Sequence, residues 1–227
     1  MDHPGAVLFD AYGTLFDVYS VGQTAERLFA GQGQALAAGW RDKQIEYTRL
    51  VTTSDDGAHY QPFGELTRAA LRYTCKRLGL DLTESAEQQL MDQYRTLTAF
   101  PECRDVLQAL KSRGVVTGIL SNGDPSMLNA AVRSAGLEGL LDHVLSVDGI
   151  RKYKTHPEAY RLGVTATGLA PAQIAFVSCN GWDALGATWY GFRTLWVNRY
   201  QLPFEELGTE PERTGSSLRD VLALPFQ

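Results

Sequence analysis

From Pro101 to Val197 the chain repeats one pattern: an amphipathic stretch, a glycine or polar turn, then a short apolar run. The periodicity predicts helices over 104–112, 126–135, 157–167 and 184–190, and strands over 115–120, 143–147, 174–178 and 194–197. Three of the turns carry Gly114, Gly136 and Gly191 just after the predicted helix, where a left-handed cap suits glycine. Strands that alternate with helices pair in parallel, because each helix returns the chain to the starting edge of the sheet. An earlier apolar run, Ala6-Val7-Leu8-Phe9, reads as a further buried strand of the same sheet.

Between that run and Pro101 the strand pattern disappears. Helical stripes follow one another: Ala25, Leu28 and Phe29, then Leu36, Trp40, Tyr47 and Leu50, then Leu66, Ala70, Leu71, Tyr73 and Leu78. A polar break, Thr52 to Gly57, separates the last two. The expected fold is therefore α/β: a Rossmann-like parallel sheet core with helices on both faces and an inserted helical cap domain. The core is expected to span 1–15 and 98–227, and the cap 16–97. The tail from Gln201, rich in Pro, Glu, Gly and Ser, is expected to form a surface loop and a short terminal helix.

Composition narrows the function classes. The chain has 227 residues, 44% of them hydrophobic, enough for one large core with an insertion. Its net charge of −5 comes with no basic stripe, so nucleic acid is not an expected partner. No apolar run approaches the roughly 20 residues that cross a bilayer, and no membrane partner is expected. Cys75, Cys103 and Cys179 form no CxxC pair, and the four His residues are scattered, so neither a disulfide framework nor a structural zinc site is expected. A cytoplasmic location follows from the same features and the lack of a signal-peptide start at Met1.

Asp10 sits at the tip of the first predicted strand, just before a turn at Gly13, on the edge where open α/β sheets bind ligands. A carboxylate there can act as a nucleophile, although an Asp also caps turns. Three further polar groups fall on the same edge. Ser121-Asn122-Gly123 offers a hydroxyl, an amide and loop N–H groups to an anion. Lys154 lies in Arg151-Lys152-Tyr153-Lys154, ahead of a helix. Ser178-Cys179-Asn180-Gly181-Trp182-Asp183 places a second carboxylate near a polar turn, where it also suits a helix N-terminus.

In this order and on this topology the four motifs resemble those of the haloacid dehalogenase superfamily, and within it the 2-haloacid dehalogenases, over essentially the whole chain. Asp10-Ala11-Tyr12-Gly13-Thr14 resembles the nucleophile loop and Ser121-Asn122-Gly123 the second motif. Lys154 with Tyr160 resembles the third, and Ser178, Asn180 and Asp183 the fourth. Arg41-Asp42-Lys43-Gln44-Ile45-Glu46-Tyr47 is similar to the cap segment that supplies a halide-facing arginine, Arg41. Phosphatases of the superfamily carry an Asp where this chain has Tyr12, and paired acids in the fourth motif, where it has Ser178. Loss of that acid argues against phosphoryl transfer, the alternative activity, and thins the carboxylate cage a hard cation needs. No metal and no cofactor are expected.

The resemblance implies hydrolysis of short L-2-haloalkanoates to D-2-hydroxy acids through a covalent ester on Asp10. Asp10, Lys154, Asp183, Arg41, Asn180 and Ser178 are implied as catalytic, with Asp183 placing or activating water. Ala11, Tyr12, Thr14, Arg41, Ser121, Asn122, Tyr160 and Trp182 are implied to bind the 2-haloacid. Ile45 and Phe63 are candidates for an apolar wall beside Tyr12. The resemblance also suggests a homodimer. Gly181, where Ala is common, and the Asp55-Asp56-Gly57 segment are expected to alter the pocket size.

Overall fold

The computed structural model describes residues 4–225. Strand β1 (Ala6–Phe9) is buried along its whole length. Four helices follow: α1 (Val21–Leu28), α2 (Gly33–Thr53), α3 (Phe63–Leu78) and α4 (Glu84–Arg95). Alternation then begins: α5 (Cys103–Ser112), β2 (Val116–Ser121), α6 (Pro125–Ser134), β3 (His143–Ser146), α7 (Pro157–Thr167) and β4 (Ile174–Ser178). It closes with α8 (Gly181–Tyr190), β5 (Arg193–Val197) and β6 (Arg213–Gly215).

The six strands form one sheet in the order β3-β2-β1-β4-β5-β6, and every pairing is parallel. Strand order reverses beside β1, the switch point at which such sheets open a crevice. Phe9 pairs with both Ile119 and Val177, so β1, β2 and β4 end within two residues of one another. Asp10, the Ser121 loop and the Ser178 loop consequently emerge at one edge.

The first two elements after β2 and β3 show why these segments become helices. Asp124 caps α6, accepting from the Met127 N–H at 3.0 Å, with Pro125 in the first turn. His156 caps α7 in the same way, its Nδ1 accepting from the Glu158 N–H at 3.2 Å ahead of Pro157. Side-chain acceptors at the cap and proline just inside are what helix starts favour.

Three local readings change. Helix α2 continues through Thr52 and Thr53, because Thr52, Thr53 and Ser54 turn their hydroxyls back onto the carbonyls of Thr48, Arg49 and Leu50 at 2.7–2.9 Å. Helix α8 starts at Gly181 rather than 184, which puts Asp183 in its first turn. The tail holds a sixth strand as well as a loop and a terminal 3-10 helix (Leu218–Ala223). Among the described residues no helix is long and apolar enough to cross a membrane.

Candidate active site

Asp10 is buried, and each of its oxygens has a donor. Oδ1 accepts from Lys154 Nζ at 3.0 Å; Oδ2 accepts from Thr14 Oγ1 at 3.0 Å and Asn180 Nδ2 at 2.7 Å. With one partner against two, Oδ1 is the oxygen with more lone-pair capacity left. Lys154 Nζ also donates to Asp183 Oδ2 at 2.8 Å, so one buried ammonium is shared by two carboxylates. Burial alone would lower the Lys154 pKa; Asp10 and Asp183 outweigh it and raise the pKa above the usual lysine value. Burial pushes Asp183 up to about 6, with Lys154 pulling down and Asp10 pushing up.

The remaining contacts hold this triad still. Tyr160 donates to Asp183 Oδ1 at 2.8 Å, and the Lys154 N–H donates to Asn122 Oδ1 at 2.9 Å. Thr14 Oγ1 accepts from the Cys179 N–H at 2.9 Å while donating to Asp10, tying the β1 loop to the β4 loop. Ser178 Oγ accepts from the Asn180 N–H at 3.1 Å and shapes the turn that presents Asn180.

In front of Asp10 lies a small, tight cavity lined by Asp10, Tyr12, Arg41, Ile45, Thr48, Phe63, Ser121, Asn122 and Trp182. Arg41, Ile45, Thr48 and Phe63 come from α2 and α3, and the others from the sheet edge and α8. The rings of Tyr12 and Phe63 lie 5.2 Å apart and form an apolar wall. Gly123 is required there, since a Cβ would come within 2.6 Å of Tyr12 Cε2. Ser121 Oγ accepts from the Gly123 N–H at 3.0 Å and donates to no protein group among the described residues. The N–H groups of Ala11 and Tyr12 likewise donate to no protein acceptor among the described residues. A hydroxyl and two N–H groups are thus free to receive an anion.

Some site residues fall elsewhere than the motifs imply. Thr14 and Tyr160 do not line the cavity; they act on Asp10 and Asp183 from behind. Ser178 touches neither Lys154 nor Asp183, because its hydroxyl is turned into its own loop. Asp183 is wholly enclosed behind Lys154. A methyl at Gly181 would face Glu205 and Phe204, outside the cavity, so this glycine does not enlarge it. Gln44, given no role in the motif reading, and Tyr94, absent from it, hold Arg41: Arg41 Nη1 and Tyr94 Oη both donate to Gln44 Oε1, at 2.8 and 3.0 Å. Only the position of Gln44 one helical turn after Arg41 hinted at this, and Tyr94 gave no signal at all.

No cluster of three or more His, Cys, Asp or Glu side chains able to hold a metal occurs among the described residues. Where a cation might bridge Asp10 and Asp183, the Lys154 ammonium already does so.

A parallel sheet switching at β1, a strand-tip aspartate held by a buried lysine, and a helical layer over it define a hydrolase of the haloacid dehalogenase-like type. The family model for haloacid dehalogenase-like hydrolases matches residues 4–191, and the chain belongs to that family. It is 45% identical over 224 residues to the (S)-2-haloacid dehalogenase of Pseudomonas sp. (strain YL), covering 99% of this chain and 95% of that protein. Haloacetate dehalogenase H-2 of Moraxella sp. (strain B) is 43% identical over 92% of each chain. A crystal structure of an L-2-haloacid dehalogenase superposes with a TM-score of 0.96 at 54% identity, covering 98% of both chains. The L-2-haloacid dehalogenase of Xanthobacter autotrophicus, solved with chloropropionic acid covalently bound, superposes with a TM-score of 0.88 at 36% identity over 96% of both chains.

Proposed function

We propose that this chain hydrolyses the carbon–halogen bond of short L-2-haloalkanoates, giving D-2-hydroxy acids. The observation that carries the reading is Asp10, a strand-tip carboxylate whose less occupied oxygen abuts Lys154, facing a small cavity with an arginine on its cap wall. Asp10 Oδ1 attacks C2 of the substrate and the C2–halogen bond breaks, its electron pair leaving with the halide. Ser121 and the N–H groups of Ala11 and Tyr12 bind the substrate carboxylate. Arg41, Asn122 and Trp182 receive the halide, where charge grows in the transition state. Ile45, Phe63 and Tyr12 face the alkyl group.

Water then attacks the ester carbonyl carbon of Asp10. Asp183, with a pKa near 6, takes the proton; expulsion of the alkoxide breaks the acyl–oxygen bond and regenerates the Asp10 carboxylate, and the alkoxide is protonated as the 2-hydroxy acid. Thr14, Asn180, Tyr160 and Ser178 hold these groups in register. A single turnover in H₂¹⁸O tests the scheme. Label is expected in the Asp10 carboxylate first and in product only in later turnovers. Label in first-turnover product would mean direct attack of water on C2.

Residues 16–97 act in this reading as a cap that brings Arg41 to the site, with 1–15 and 98–227 as the core. The chain is further proposed to work as a cytoplasmic homodimer. Leu50 and Tyr73 on the exposed side of α2 and α3 supply apolar surface for the second copy, and three free cysteines suit a reducing compartment. Light scattering of the purified protein gives the oligomeric state.

A further inference from the structure

Arg41 is a buried guanidinium without a carboxylate partner. It is 8% exposed, and its bonds run to neutral oxygens only: Gln44 Oε1 at 2.8 Å, the Tyr12 carbonyl at 2.9 Å and Asn180 Oδ1 at 3.3 Å. Among the described residues it forms no ion pair. Other well-buried cations among the described residues meet acids: Arg199 meets Glu102, and Lys154 meets Asp10 and Asp183. Removing a charge from water without a counter-ion is costly, so a site that does so keeps the charge for something that arrives.

Gln44 is the residue that makes this arrangement possible. It has no solvent exposure, and both ends of its amide are hydrogen-bonded. Nε2 donates to Thr67 Oγ1 at 2.6 Å, and Thr67 donates onward to the Phe63 carbonyl at 2.7 Å. Oε1 accepts from both Arg41 and Tyr94, at 2.8 and 3.0 Å. A flipped amide would set its nitrogen against Arg41 Nη1, which can only donate, so the oxygen is kept on that side. Its oxygen therefore points permanently at Arg41 Nη1 and fixes the guanidinium plane without supplying negative charge.

Resting on the dehalogenase reading of the site, we propose that Gln44 is a positioning residue whose neutrality leaves the Arg41 charge to the departing halide. An acid here would give Arg41 an internal counter-ion and take away the pull on the leaving group. The chain of Tyr94, Gln44, Thr67 and the Phe63 carbonyl also couples the halide wall to the apolar wall, since Phe63 lines the same cavity.

The test compares Gln44→Glu with Gln44→Met in the full chain. The first keeps the acceptor and the shape but adds a carboxylate; the second removes the acceptor and adds no charge. Bromide binding is measured by calorimetry, chloride release from L-2-chloropropionate by initial rates, and folding by thermal midpoint. Gln44→Glu is expected to weaken bromide binding by about tenfold or more and to lower kcat at least as far, with its fold retained by the new Arg41 pair. Gln44→Met is expected to lower kcat while weakening bromide less than Gln44→Glu does. Equal bromide affinity in wild type and Gln44→Glu, or no bromide binding by wild type, overturns the proposal. If Gln44→Glu does not fold, an unchanged kcat in Gln44→Met overturns it. Wild type that binds bromide but releases no chloride refutes the dehalogenase reading alone, and the bromide arm still decides the role of Gln44.

Discussion

Lys154 carries the site at the scale of single residues, because it is a fully enclosed cation between two carboxylates. Lys154→Met leaves Asp10 and Asp183 facing each other with no cation, and a broken buried pair of this kind costs about 3–5 kcal/mol. Urea unfolding is expected to show that loss, and halide release to vanish. In the proposed scheme Asp183 sets the acid side of the pH profile. Its pKa is raised to about 6, so below that pH it is protonated, accepts no proton from water and loses its charge toward Lys154. The rate of ester hydrolysis is expected to rise with pH through about 6 and then level. Asp183→Asn is expected to remove both the limb and the turnover, and a profile still rising near 6 in Asp183→Asn would assign that titration elsewhere. EDTA is expected to leave halide release unchanged, since the Lys154 ammonium occupies the space between the carboxylates. These residues were legible in the chain because residue type carries their chemistry: Asp10 and Ser121 stand at strand tips, Lys154 in a loop and Asp183 in the first turn of α8. Gln44 and Tyr94 were not, since the bond joining them crosses 50 residues that only folding brings together.

At the scale of elements, the segment that ends α2 and leads to α3 and the segment before α7 clasp each other. Lys152 Nζ pairs with Asp56 at 2.9 Å, Tyr60 donates to Asp148 at 2.6 Å, and Tyr153 Oη donates to the Gln61 carbonyl at 2.6 Å. The Tyr153 N–H reaches Thr52 Oγ1 at 3.0 Å, one residue before Lys154. Gly57 holds a φ of +83°, and a Cβ there would meet the Arg151 carbonyl at 2.9 Å. The Asp55-Asp56-Gly57 segment thus docks on the core loop that presents Lys154, and does not line the pocket. Magnitudes separate its members. Asp56 is 85% exposed in its side chain, where water screens the ion pair, so Asp56→Ala should change KM by less than about twofold. Tyr153→Phe removes a mostly buried hydroxyl from a carbonyl, a loss of about 1 kcal/mol, and should raise KM roughly fivefold with faster hydrogen exchange over 52–61. Equal effects of the two substitutions would mean that the clasp does not discriminate between them. The helix-Gly-strand pattern made the core elements legible. Strand β6 was hidden because Arg213-Thr214-Gly215 has no apolar alternation and is a strand only by pairing with β5.

The whole molecule sets the stereochemistry. Displacement by a carboxylate requires nucleophile and leaving group on opposite sides of the reacting carbon, which the two-layer build supplies. Asp10 rises from the sheet edge at β1, and Arg41 enters the same cavity from α2 in the helical layer. That opposition was foreseeable from topology, since a helical insertion directly after β1 has to cover the tip of that strand. In the proposed scheme Ser121 and the Ala11 and Tyr12 N–H groups fix the substrate carboxylate between the two walls, leaving C2 a single productive orientation. The first step inverts C2; the second breaks the acyl–oxygen bond of the ester and leaves C2 untouched. One inversion therefore survives into the product. L-2-chloropropionate is expected to give D-lactate, while the D isomer, bound through the same carboxylate contacts, directs its halogen away from Arg41 and reacts little. Chiral chromatography of the lactate decides the matter. L-lactate from the L substrate would require two displacements at C2 or none, and would separate the roles assigned here to Asp10 and Arg41.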